Sequence, residues 1–196
     1  MAISIILDGR EAAVAQTGAE AVEAVRRLEA EQNEQERVLV SVRVDGEESL
    51  DWEETLPERY PKQVELATVP LREALAAAID HTLEDLPRLG QGFSTAGQLL
   101  REGQVAEASR ALLPLLGVLE AYLSLLQHLG KLDARCTLGA ARTIAALDEG
   151  LEAVLSAWGA GNFDRAAFVL ERTLAEEVLN SRAWLEETRA LLEDLD

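Results

Sequence analysis

Apolar and polar residues alternate at two different periods along this chain, and the change of period divides it. Up to residue 69 the runs are short and the period is two. Ile3 to Leu7 is rich in β-branched residues and stops at Asp8-Gly9, a dipeptide suited to the positive φ angles of a tight hairpin turn, so Arg10 to Val14 is expected to return as a second strand. Thr17-Gly18 followed by Glu20 opens an amphipathic helix, with Ala21, Val22, Val25 and Leu28 on one side and Glu23, Arg26, Arg27 and Glu31 on the other. Val38, Val40, Val42 and Val44 then alternate in a strand that Asp45-Gly46 turns, and Val64, Leu66 and Thr68 mark a last short strand. Between them, Pro57 and Pro61 in "DWEETLPERYPKQ" preclude a long helix, and Trp52 and Tyr60 are placed to close the open end of the sheet. "SIILDGREAA" and "SVRVDGEESL" thus write one phrase twice, and two ordinary turns explain it better than a shared binding loop.

From Pro70 the period lengthens to three or four. Leu71, Leu75, Ile79, Leu83, Leu86, Leu89, Phe93, Ala96 and Leu100 predict one long helix that passes through Pro87 with a kink; a break at "LGQGFS" is the alternative. A second helix carries Val105, Ala108, Leu112, Leu115, Leu119, Tyr122, Leu126 and Leu129, with Pro114 inside it. A third places Cys136, Ala140, Ile144, Leu147, Leu151, Val154 and Trp158 on one face, and a fourth runs from Phe163 through Ala167, Leu170, Leu174, Val178 and Leu185 to Leu192 and almost to Asp196. Shifting the chain by 58 residues lays the first pair of helices over the second: Gly92 falls on Gly150, Gly103 on Gly161, and "GQVAEA" on "GNFDRA". Duplication and coincidence are evenly matched for such Leu/Ala-rich helices.

Hairpin, helix, strand, turn and strand over residues 2 to 69 resemble the element order of the β-grasp, or ubiquitin-like, scaffold. The helix can serve as a right-handed crossover, and Val38 to Val44 is expected to lie parallel to Ile3 to Leu7. Carriers of that family end in an exposed Gly-Gly, whereas here the last strand meets Pro70 and the chain ends "LLEDLD", so a carrier role is disfavoured. "GNFDRAAFVLERTL" resembles one helix of a tetratricopeptide repeat, but the 58-residue offset argues against a repeat array. The expected fold is α+β: a small β-grasp-like sheet domain with one helix over residues 1–69, then an antiparallel four-helix bundle of two αα-hairpins over residues 70–196.

Charge narrows the function. The 196 residues hold 36 acids against 18 Lys and Arg, a formal charge of −18 that is shared evenly by the two regions. The longest cationic run is Arg26-Arg27 inside a Glu-rich helix, so no nucleic-acid footprint exists and anionic membranes are disfavoured. No stretch is expected to reach the ~20 apolar residues that span a bilayer, and the opening apolar run is too short for a secretory signal. A single cysteine agrees with a reducing compartment, and a cytoplasmic location is expected.

Candidate chemistry is sparse. His81 is expected in solvent, His128 in a structural role beside the second helix's leucines, and Cys136 packed in a core. No zinc set, nucleophile elbow, dinucleotide fingerprint or phosphate loop can be assembled from the sequence, so no cofactor, metal or catalytic residue is expected. The acidic cluster of Asp45, Glu47, Glu48, Asp51, Glu53 and Glu54 lacks calcium-loop order and reads as a solvated rim. The second helix is the exception to this blandness, because leucines surround it where a packed helix needs one stripe. Leu113, Leu116, Leu123 and Leu125 are the candidate interaction residues. The expected function is a non-enzymatic protein-interaction module that binds a protein partner or itself; the alternative is an acidic chaperone or adaptor for a helical client, and an enzyme stands behind both.

Overall fold

Both Asp-Gly pairs adopt left-handed backbone at both residues, φ 48° and 80° at Asp8-Gly9 and 51° and 86° at Asp45-Gly46. This is the type I′ geometry whose twist suits a two-residue hairpin. The computed structural model describes residues 2–132 and 134–194. It is α+β, an N-terminal mixed five-stranded sheet followed by helices, and it separates into two units, Met1–Ala74 and Leu75–Asp196.

In the first unit, β1 (Ile3–Leu7), β2 (Arg10–Ala15), β3 (Arg37–Val44), β4 (Glu47–Glu48) and β5 (Gln63–Pro70) are ordered β2-β1-β5-β3-β4. β5 lies parallel to β1 and antiparallel to β3. β3 therefore runs opposite to β1, which corrects the expected parallel crossover. Alternation fixes which face a strand buries but not its neighbour, and the last strand takes the central slot. A register shift between Leu39 and Ser41 turns Val40 outward and lets Leu39 face the core in its place.

The Asp side chains of the two turns do matching work on β5. Asp8 accepts from the Thr68 backbone N–H at 2.8 Å, from the Thr68 hydroxyl at 2.8 Å and from Arg37 at 3.2 Å. Asp45 accepts from the N–H groups of Lys62 and Gln63 at 2.9 and 3.0 Å. Each copy of the phrase thus supplies a turn and a carboxylate that pins one end of the central strand.

α1 (Gly18–Glu34) lays Ala21, Val22, Val25 and Leu28 on the sheet, as its pattern predicts. Thr17 caps it by accepting from the Glu20 N–H, and the Glu20 carboxylate reaches back to the N–H of Gln16. The proline-bounded segment forms only α2 (Trp52–Thr55) and a single 3-10 turn, Leu56–Glu58. Trp52 packs against the core, but Tyr60 is 83% exposed and closes nothing.

The helical unit continues α3 (Leu71–Arg101), which is unbroken through Pro87 and "LGQGFS", and adds α4 (Val105–Leu129) and α5 (Ala134–Gly159). α6 (Phe163–Val169) passes through a π-helical turn at Leu170–Leu174 into α7 (Ala175–Asp194); residues 195 and 196 lie outside the described residues.

The 58-residue echo is present in the backbone hydrogen bonds. Glu102 N–H to Gln98 O, Gly103 to Leu100, Gln104 to Leu99 and Ala108 to Gln104 recur as Ala160 to Ser156, Gly161 to Trp158, Asn162 to Ala157 and Ala166 to Asn162. Gly103 and Gly161 take φ 76° and 70°. Beyond the π turn the match moves by one residue: buried Leu119, Tyr122, Leu126 and Leu129 correspond to buried Val178, Ser181, Leu185 and Thr188. A π turn holds one residue more than an α turn, so it absorbs the extra residue without rotating the buried face into solvent. The same shift shows in packing, where a Cβ on Gly92 would meet Leu115 and one on Gly150 would meet Leu174.

Tyr122 and Ser181, equivalent in the two halves, meet in the interior, where the phenol donates to the Ser181 hydroxyl and Ser181 donates to Val178 O. Burial pushes the Tyr122 hydroxyl up to about 12. Tyr122→Phe is expected to cost about 1 kcal/mol, since Ser181 keeps its donor bond and loses only an accepted one. Urea unfolding followed through the helical signal checks this.

Candidate functional site

α4 buries Ala108, Leu119, Tyr122, Leu125, Leu126 and Leu129 along one face. Its outward face is the unusual one. Leu113 is 65% and Leu116 54% exposed, one turn apart on the same helix, which places apolar side chains next to each other in water. Leu123 is half-buried. Leu125, at 6% exposure, points into the unit and drops out of the candidate face. The helical unit also exposes Leu138 and Leu155 on α5, Phe168 on α6 and Leu179 on α7.

The chemistry around this face is as informative as its leucines. Over its 25 residues α4 carries Glu107, Arg110 and Glu120 and no other Asp, Glu, Lys or Arg. By length and composition alone it is long and apolar enough to cross a bilayer, with mean hydropathy 1.4 over an 18-residue window, which corrects the expectation that no stretch reaches that size. Gly117 lies exposed at the middle of the outward face, and a Cβ there would meet nothing within 4 Å. Arg110, Gly117 and Glu120 escaped the sequence analysis. Their signal was available as a nearly uncharged stretch of helix in a strongly acidic chain.

Beside Gly117 lies an apolar cleft of about 220 Å³ between α3 and α4, lined by Leu86, Leu89, Val118 and Ala121, with His81 and Asp85 at its rim. His81 is exposed as expected, and its Nε2 stands 3.4 Å from Asp85, which also pairs with Arg88 at 3.3 Å. His128 is exposed, with Nδ1 2.7 Å from Ser124 O. Cys136 is buried.

Among the described residues no three His, Cys, Asp or Glu side chains converge as a metal site would require. Members of the acidic cluster are tied into the fold where they are bonded at all: Asp45 pins β5, and Glu53 pairs with Arg26 at 3.0 Å, a contact that lowers the Glu53 carboxyl below its usual range. Comparison with known proteins finds no matching family model, no matching curated protein and no matching solved structure.

Proposed function

We propose that the chain is a non-enzymatic cytoplasmic interaction protein that associates with a second copy of itself through the outward face of α4. We also infer the finer architecture: a β-grasp-like first unit and an antiparallel four-helix bundle of two αα-hairpins. The strand order β2-β1-β5-β3-β4 with α1 laid on one face supports the first. The hydrogen bonds that recur 58 residues apart support the second.

The exposure of Leu113 and Leu116 carries the functional proposal. Two exposed leucines on one helix turn leave apolar area in water, and covering it contributes about 25 cal/mol per Å² removed. Self-association of an acidic chain also has to avoid bringing carboxylates together, and α4 is the helix that permits this because it is nearly uncharged. The chaperone or adaptor role is the competing proposal, favoured by the −18 charge, which would attract a basic amphipathic client helix.

Size-exclusion chromatography with light scattering tests the proposal. The expected result is about twice the monomer mass for the unaltered protein and the monomer mass for Leu113→Glu or Leu116→Glu, with unchanged circular dichroism because both positions are exposed. A protein that stays monomeric up to ~100 µM refutes self-association. One stoichiometric helical client in the native complex supports the adaptor role instead.

A further inference from the structure

We infer that the self-association proposed above is an isologous, antiparallel pairing of α4 with the α4 of a second copy, about a two-fold axis at Leu115. The inference rests on the outward stripe of the helix. Ala106, Arg110, Leu113, Gly117, Glu120 and Ser124 are all exposed, and their spacing of four, three, four, three and four residues is that of one helix face. That spacing reads the same in both directions. Reversing a second copy about Leu115 therefore brings every member of the stripe opposite another member.

The layers that result are complementary. Arg110 faces Glu120 of the other copy, Leu113 faces Gly117, and Ala106 faces Ser124, each pairing occurring twice by symmetry. The largest apolar side chain thus meets the one residue without a side chain, where the surface has open space. Leu116, one residue from the axis, meets its own copy.

Charge selects this arrangement over its competitor. Arg110 and Glu120 stand ~15 Å apart along one helix at 1.5 Å per residue, so they cannot pair with each other in a single chain. Some cations of other helices do find carboxylates within their own turn, as in Arg172 with Glu176 and Arg182 with Glu186. A parallel, in-register pair would set Arg110 on Arg110 and Glu120 on Glu120, whereas the antiparallel one converts both repulsions into attractions.

A charge-swap series analysed by light scattering and sedimentation tests the pairing on the full chain. Arg110→Glu and Glu120→Arg alone each place like charges opposite one another twice and are expected to weaken association about tenfold or more. The double variant Arg110→Glu/Glu120→Arg is expected to associate as the unaltered protein does, and an equimolar mixture of the two single variants is expected to recover the dimer. Circular dichroism should not change, since both side chains are exposed. If the unaltered protein and both single variants are equally strong dimers, the antiparallel register is overturned while self-association through some other register or face stands. If the unaltered protein is a monomer, or is a monomer that floats with phosphatidylcholine vesicles, both the register and the self-association on which it depends are overturned.

Discussion

Gly18→Ala is expected to destabilise the first unit by about 3–5 kcal/mol, among the largest effects a single methyl group can have. A Cβ at Gly18 would lie 1.9 Å from Leu56 O, 2.8 Å from Leu56 C and 2.9 Å from Arg59 O. All three atoms are backbone, so no side chain can swing away, and relief requires α1 or the Leu56–Glu58 turn to move as a whole. Local propensity points the other way, because alanine within a helix is favoured over glycine by about 1 kcal/mol. The sign of the result therefore decides between the two effects. Loss of amide protection in α1 and β5 by hydrogen exchange, with the helical unit unaffected, is the expected observation; a variant as stable as the parent would show that the turn does not hold the helix start in place.

Asp8→Ala is expected to cost the same unit about 2–3 kcal/mol, from two sources. The carboxylate accepts from Thr68 N–H, the Thr68 hydroxyl and Arg37. With part of the group in solvent, these contribute about 1–2 kcal/mol together. The left-handed backbone at φ 48° adds about 1 kcal/mol for a residue that disfavours it. Asp8→Asn keeps the left-handed preference and loses only the charge, so it should fall between.

The Thr68 backbone N–H first, then the Thr68 hydroxyl and the Arg37 charge, hold the Asp8 carboxyl below its usual range. Such a depressed group contributes its stability above the unfolded value of about 4, and that contribution fades as pH falls through the lower folded value. Hydrogen exchange at Thr68 should therefore be faster in Asp8→Asn than in the parent at pH 6, with the gap closing below about pH 4. A gap independent of pH would remove the charge from the explanation.

Much of the first unit was legible in the sequence, and the failures share one cause. The turns, the capped helix and its buried face followed from φ preferences and from the period of three to four. The partner of each strand did not, because alternation carries no information about neighbours: β5 is held in the central slot by its ladders to β1 and β3 and by both turn carboxylates. Val40 failed for a related reason, since a one-residue bulge rotates it outward without changing the sequence pattern on either side. In the helical unit the stripes were correct, while the π turn was invisible, because a helix that gains a residue still looks periodic to either side of it.

The candidate site was half legible. Leu113 and Leu116 stood out by being surplus to one stripe, but Leu125 was equally leucine and is buried.

The sequence by itself determined the two periods, the hairpin turns and the excess of leucine on α4, because each depends on residues close together in the chain and on local backbone preference. Only the tertiary structure decided which of those leucines face water, which strand lies at the centre of the sheet, and that the repeated aspartates bond the same strand at opposite ends. These depend on groups far apart in sequence: Asp8 and Thr68 are separated by 60 residues, and nothing local records that they touch.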